Sequence, residues 1–134
     1  MERPMPNLFS FRGRLNRAPF WWIKISLALL NGAAHLAVAQ SLPRGLPLQQ
    51  QWHAVGPWPL VFLGVLGVVV FWIWLATGIK RWHDQDKSGW WMLILLIPVV
   101  GAVWYLIACG FRPGTAGPNR FGPDPLAGRP RARQ

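Results

Sequence analysis

Two long stretches without a single charge constrain this chain more than anything else in it. Residues 57–79 read PWPLVFLGVLGVVVFWIWLATGI, and residues 90–111 read WWMLILLIPVVGAVWYLIACGF. A bilayer core about 30 Å thick is crossed by about 20 apolar residues in helical form, so either stretch is long enough to span. Pro57 and Pro59 suit a first helical turn, where their missing N–H groups are not needed. Pro98 and Gly101 interrupt the second run, so a kink or break is expected near its middle. Only 13% of the 134 residues are charged, against roughly 25% in an ordinary soluble domain. One membrane domain accounts for both the length and the runs.

A third run, residues 20–42, is weaker as a span because it carries Lys24, Asn31, His35 and Gln40. Lys24 lies near its end and is expected to snorkel to the headgroups. At 100° per residue Lys24, Asn31 and His35 share one helix face. Polar groups are costly in lipid, so that polar intramembrane stripe is expected to face other helices through interhelical hydrogen bonds. A proton or substrate path is the sharper alternative. Ala37-Val38-Ala39 resembles a signal-peptidase site, but the polar residues inside the run and the long stretch before it argue against cleavage. Cys109 is the only cysteine, which excludes an intrachain disulfide and leaves a small buried hydrophobe. Trp21, Trp22, Trp58, Trp82, Trp90 and Trp91 fall near span ends, where amphipathic rings prefer the headgroup level. Trp72, Trp74 and Trp104 lie deeper and are expected to fill space between helices or face lipid.

Net charge is +10, which in general suggests nucleic acid or an anionic membrane. Here the basic residues flank apolar runs and no RNA-recognition or zinc motif is present, so the partner expected is a bilayer with anionic lipid, not nucleic acid. Arg3, Arg12, Arg14 and Arg17 precede the 20–42 run, while Lys80, Arg81 and Lys87 follow the 57–79 run. The intervening loop, 43–56, has only Arg44. By the positive-inside rule the N-terminus and the 80–89 loop are cytoplasmic, in a bacterial inner membrane crossed more than once. The tail conflicts with this. Three full spans place it outside, yet it holds Arg112, Arg120, Arg129, Arg131 and Arg133. Residues 90–111 would be about 33 Å long as one helix, enough to span. A re-entrant hairpin turning at 98–101 would return the tail inside, if protein or water covers its irregular backbone. Three spans are favoured. The tail itself is rich in turn signals, and its last ten or so residues are expected to be disordered.

Three blocks stand out together. The first is FRGRLNRAPFWW, residues 11–22. The second is KRWHD, residues 80–84, followed by SGWW at 88–91. The third is PGTAGPNRFGPDP, residues 113–125. Their order and spacing resemble the DUF805 family of small bacterial inner-membrane proteins. That family shows F-x-G-R-x-x-R-x-x-[FY]-W, then R-R-L-H-D-x-x-x-S-G-W-W with an apolar I-P-x-x-G run, then G-T-x-G-x-N-[RK]-[YF]-G-x-D-P. The resemblance covers about residues 8 to 125. Lys80 and Trp82 stand where the family commonly has Arg and Leu. Lys80 keeps the charge but loses the planar fork that grips carboxylates and phosphates. The resemblance implies an integral membrane protein and no mechanism.

The blocks also carry readable chemistry. His83, Asp84 and Asp86 offer metal-ligand types, but adjacent helical side chains diverge by about 100° and no helical ligand spacing such as H-E-x-x-H is present. No metal, cofactor or catalytic group is expected. Arg81, His83 and Asp84 are expected instead to form a charge-paired lock with the N-terminal arginines. Arg12, Arg14, Arg17, Lys80, Arg81 and Lys87 on one membrane face would also attract acidic headgroups, at about 1 kcal/mol each. The glycines of the tail lack the Lys-Ser/Thr of a phosphate loop. Asn119, Arg120 and Asp124 are expected to cap the bundle end through turns and ion pairs.

The expectation is an all-α membrane protein: a small bundle of three transmembrane helices (about 20–42, 57–79 and 90–111), the third kinked or broken near Pro98. Residues 1–19 form a basic arm and 112–134 a turn-rich, partly disordered tail. Its function is non-enzymatic, through protein or anionic-lipid contacts. The alternative is a subunit of a small oligomeric transporter or channel using the Lys24–Asn31–His35 stripe. A homo-oligomer or another membrane protein is the expected protein partner.

Overall fold

The computed structural model of the chain describes residues 7–127, and every described element is helical. After an extended arm, α1 runs from Arg17 to Ser41. It stops where Leu42 turns extended, because the ring of Pro43 disfavours helical backbone in the residue before it. A short helix, α2, occupies Leu48–Val55, inside what reads in the sequence as a loop. Eight residues without a strong apolar period carry little signal. The helix is nevertheless bounded by Pro47 before it and by Gly56 after it, whose φ of 72° only glycine adopts without strain. The third helix, α3, covers Trp58–Asp84, with a proline in its first turn.

The 27 residues of α3 are about 40 Å long, roughly 10 Å more than a bilayer core. Its charged residues lie beyond Ile79, so Lys80–Asp84 project past the apolar length. Helices α1 and α3 are antiparallel neighbours. Leu15 N–H meets the Lys80 carbonyl near one end, and further along α1 the Lys24 ammonium reaches back to the Trp74 carbonyl. Both helices are long and apolar enough to cross a bilayer.

The expected third span is not a continuous helix. Gly89–Leu96 is 3-10, Val100–Tyr105 is α-helical (α4), and Leu106–Phe111 is π-helical. The break falls at 97–99, beside Pro98. Val99 there has φ 61°, a left-handed conformation that a β-branched residue rarely adopts. The two arms fold back on each other. A Cβ on Gly101 would lie 1.8 Å from the Ile94 carbonyl oxygen, so only glycine lets the arms approach this closely. Met92 from one arm and Tyr105 from the other both meet Gly78 of α3.

Both ends of the hairpin lie at the same end of α3. Gly89 rests on Ile79, while Cys109 and Arg112 offer their carbonyls to Arg81. Eight 3-10 residues rise about 16 Å, about half a bilayer core. Two long helices and a folded-back hairpin, its first arm about 16 Å long, therefore stand where three spans were expected.

The core is concentrated at the hairpin end. Leu15, Phe20, Trp82, Met92, Tyr105, Ala108 and Cys109 form one buried cluster, flanked by Trp21, Trp74, Leu75 and Ile79. Beyond the hairpin tip, Leu29, Leu30, Leu36 and Leu60, Phe62, Val65 and Val68 are exposed on the outer halves of α1 and α3.

Candidate functional site

The last residues of α3 gather the three sequence blocks. Asp84 is 3% exposed, and its carboxylate lies between two guanidiniums. Arg81, one turn earlier, donates from Nη1 to Oδ2 at 2.6 Å. Arg14, from the arm, donates from Nε to Oδ1 at 3.1 Å and brings Nη2 to 3.0 Å. Arg14 also donates to the carbonyls of Thr115 at 2.7 Å and Gly117 at 2.6 Å. The tail closes over the pair: Thr115 donates N–H and hydroxyl to the Asp84 carbonyl, at 2.7 and 3.0 Å. Gly114 lies against the carboxylate, where a Cβ would come within 2.0 Å of Oδ2.

Arg81 has a second task. A helix end leaves its last carbonyls without intrahelical partners, and here each is met by a side chain from α1, from α3 or from Gln85 just after it. Gln85 donates to Ala108, Arg81 Nε to Cys109, Trp21 Nε1 to Gly110 and Arg17 to Phe111, at 2.6–3.1 Å. Arg81 Nη2 also reaches the Arg112 carbonyl. Cations at a helix C-terminus are electrostatically favourable as well. Arg81 thus ties the start of the tail, the hairpin's return arm and Asp84 to α3.

His83 stacks flat on Phe121, with centroids 3.9 Å apart and planes 3° from parallel. Its Nδ1 lies 3.2 Å from the Gly13 carbonyl. A carbonyl only accepts, so Nδ1 is assigned as the protonated nitrogen. Asn119 bridges the His83 carbonyl and the Thr115 hydroxyl, both at 2.9 Å. Asp124 accepts from Gly117 and Leu126 N–H groups in the tail turns. Arg120 pairs with Asp86 at 3.3 Å, both exposed, a geometry worth about 0–1 kcal/mol. Lys80 is buried and donates to the Asn7 carbonyl.

These groups lie past the apolar length of α3, and their electrostatics follow from burial. Burial raises the Asp84 pKa, opposed by Arg81 and Arg14. Burial also lowers that of His83, opposed by the Gly13 hydrogen bond and reinforced by Arg120, which leaves the stacked imidazole neutral at pH 7. A carboxylate buried with two guanidiniums adds little net stability, because desolvation offsets the pairing. What such a cluster sets is geometry, and removing one member strands the others. His83 and Asp84 face different partners, and no group of three His, Cys, Asp or Glu side chains gathers among the described residues.

The polar stripe of α1 does not converge. Lys24 turns inward to the Trp74 carbonyl at 2.7 Å, with Nζ 4.0 Å above the Trp74 ring, instead of snorkelling to headgroups. His35 bonds the Asn31 carbonyl of its own helix. Two of the tryptophans placed by sequence at headgroup level are also internal. Trp21 caps Gly110, and Trp82 is fully buried with no acceptor for its Nε1 among the described residues. Gln85, Gly114, Thr115 and Phe121 belong to the site without having been singled out by sequence. All four lie in or beside the second and third blocks, which was the available signal. Arg3, Arg129, Arg131, Arg133 and most of the tail segment expected to be disordered lie outside the described residues.

Comparison with known proteins follows these blocks. The family model DUF805, "Protein of unknown function (DUF805)", matches residues 8–123. Inner membrane protein YhaH of Escherichia coli (strain K12) is 34% identical over 122 residues, covering 90% of this chain and 91% of its own length. Inner membrane protein YhaI of the same strain is 31% identical over 125 residues, covering 92% of each. Uncharacterized protein YiiR of that strain is 27% identical over 142 residues, covering 87% of this chain and 86% of its own. No solved structure matches the chain.

Proposed function

The chain belongs to the DUF805 family, and from that premise we propose that it is a non-enzymatic inner-membrane protein that holds a basic face against anionic headgroups on the cytoplasmic side. In this reading α1 and α3 span, the 90–111 segment re-enters, and the N-terminal arm, the 80–89 loop and the tail share the cytoplasmic face. Positive charge supports that orientation. Arg12, Arg14, Arg17, Lys80, Arg81, Lys87, Arg112 and Arg120 gather at the hairpin end, against Arg44 in the opposite loop.

The observation that carries the reading is how the cations divide. Arg14, Lys80 and Arg81 are consumed by Asp84 and by backbone carbonyls. Arg12 and Arg112 are exposed, Arg17 is exposed apart from its one bond to the Phe111 carbonyl, and neither they nor Lys87 forms an ion pair among the described residues. The first set fixes the scaffold, and the second is left to a partner. Exposed Trp22 and Trp90 flank the same end, where indoles favour the headgroup layer.

Four outward cations at about 1 kcal/mol each amount to a readily measured preference. In nanodiscs of equal size, the protein is expected to unfold at a higher temperature with phosphatidylglycerol than with phosphatidylcholine alone. The difference is expected to shrink as salt screens it. Equal unfolding temperatures in the two lipids would contradict the reading. The oligomeric transporter or channel reading draws less support, because Lys24 is engaged with α3 and apart from Asn31 and His35.

A further inference from the structure

We propose that one anionic phospholipid docks on the outer face of the hairpin's first arm, its phosphate at Lys87 and Ser88 and its acyl chain along Trp90, Trp91 and Ile94. This deepens the lipid reading above, rests on it, and commits to a single site.

A groove of about 340 Å³ lies at the start of the 3-10 arm, lined by Ser88, Trp90, Trp91 and Ile94. Its lining is amphipathic. The indoles and the Ile94 side chain supply apolar surface, and Trp90 is 77% exposed. The polar end lies where the loop enters the arm. Lys87 Nζ sits 4.4 Å above the Trp91 ring and forms no ion pair among the described residues. Ser88 Oγ accepts the Trp90 N–H at 3.4 Å, which leaves its hydroxyl proton free to be donated.

The other cations of this end are differently placed. Arg17 donates to Phe111, and Arg120 is paired with Asp86. Lys87 is held beside the groove, over the Trp91 indole that lines it and 5.4 Å from the ring of buried Trp82. A cation at one end of an open apolar groove complements an amphiphile with an anionic head and a hydrocarbon chain. The arm's length fits the same occupant. A hairpin reaching about half of a bilayer core leaves hydrocarbon depth beyond its tip that lipid chains must fill.

The test is native mass spectrometry of the full chain, released from detergent after incubation with equimolar phosphatidylglycerol and phosphatidylcholine. One phosphatidylglycerol is expected to be retained in preference. Lys87→Gln should lower its occupancy about fivefold, the equivalent of about 1 kcal/mol for one lost cation–headgroup contact. Lys87→Arg should retain it, and Trp90→Ala should lower it through the lost chain contact. Arg12→Gln, a cation of the same face away from the groove, should match wild type. Inorganic phosphate alone should not be retained, because it lacks the chain. If Lys87→Gln holds phosphatidylglycerol as wild type does, or loses no more than Arg12→Gln, the site is wrong while the diffuse lipid reading stands. If phosphatidylcholine is retained equally, the lipid reading itself fails. Circular dichroism of each variant separates lost binding from lost fold.

Discussion

Replacing Asp84 with alanine is expected to cost about 3–5 kcal/mol of stability, the range for breaking a buried ion cluster by removing one partner. Among the described residues the carboxylate is the only counter-charge that Arg14 and Arg81 meet. Without it two guanidiniums remain at a buried site, one of them inside a cage of carbonyls that fixes its position. The loss should spread along what Arg81 and Arg14 organise: the hairpin's return arm and the tail. Asp84→Asn keeps the shape and loses the charge, and should fall between alanine and wild type. Unfolding in detergent reads the effect directly, and cellular abundance should fall in step with it. A loss below about 1 kcal/mol, the range of an exposed pair, would show that the cluster does not organise this end. Normal abundance and stability with a lost cellular phenotype would move Asp84 from scaffold to function.

The second large effect is expected at the hairpin tip. A Cβ on Gly101 would lie 1.8 Å from the Ile94 oxygen, 2.7 Å from its carbonyl carbon and 3.3 Å from Leu95 Cα. All three are backbone atoms of the facing arm, so no side-chain rotation relieves the clash. Gly101→Ala should therefore separate the arms, with a loss at or above the roughly 1–3 kcal/mol of an overpacked core. Glycine to alanine inside a helix otherwise gains about 0.5–1 kcal/mol. Gly64 and Gly67 supply that control, since a Cβ at either meets nothing within 4 Å. Gly64→Ala and Gly67→Ala should be neutral or stabilising in the thermal measurement that finds Gly101→Ala destabilised. Equal behaviour of the three variants would contradict the close approach at the tip.

The helix α3 is legible in the sequence because an uncharged run of spanning length has few other uses, and α1 is legible as a weaker run in spite of Lys24. The interruption at Pro98 is legible for the same local reason. What the break becomes is not. A kinked span and a half-depth hairpin have the same composition, and they differ through Gly101 meeting Ile94 and through Arg81 meeting Cys109. Those are long-range contacts that no run or period encodes. The tail's arginines carried the one sequence-level sign, a charge balance that three full spans leave unexplained.

The site divides in the same way. The three blocks mark Arg14, Arg81 and Asp84, and the structure places them within hydrogen-bond reach of one another. Nothing in a block says that Arg81 also caps a π-helical segment, or that Gly114 is small because a carboxylate lies against it. Lys24 is a mixed case. Helical periodicity put it on a face expected to hydrogen-bond other helices, and it does bond the Trp74 carbonyl of α3, while His35 stays with its own helix.

The measurement that tests the account most directly is the side of the membrane on which the tail lies. In a Cys109→Ala background, single cysteines at Ala116 in the tail and at Gln50 in the α2 loop, both exposed positions, can be probed in intact cells with a maleimide that does not cross the inner membrane. A re-entrant hairpin predicts that Gln50→Cys is labelled from outside and Ala116→Cys only after the membrane is opened. Labelling of Ala116→Cys from outside alongside Gln50→Cys would mean that residues 90–111 span the bilayer, and would contradict the hairpin.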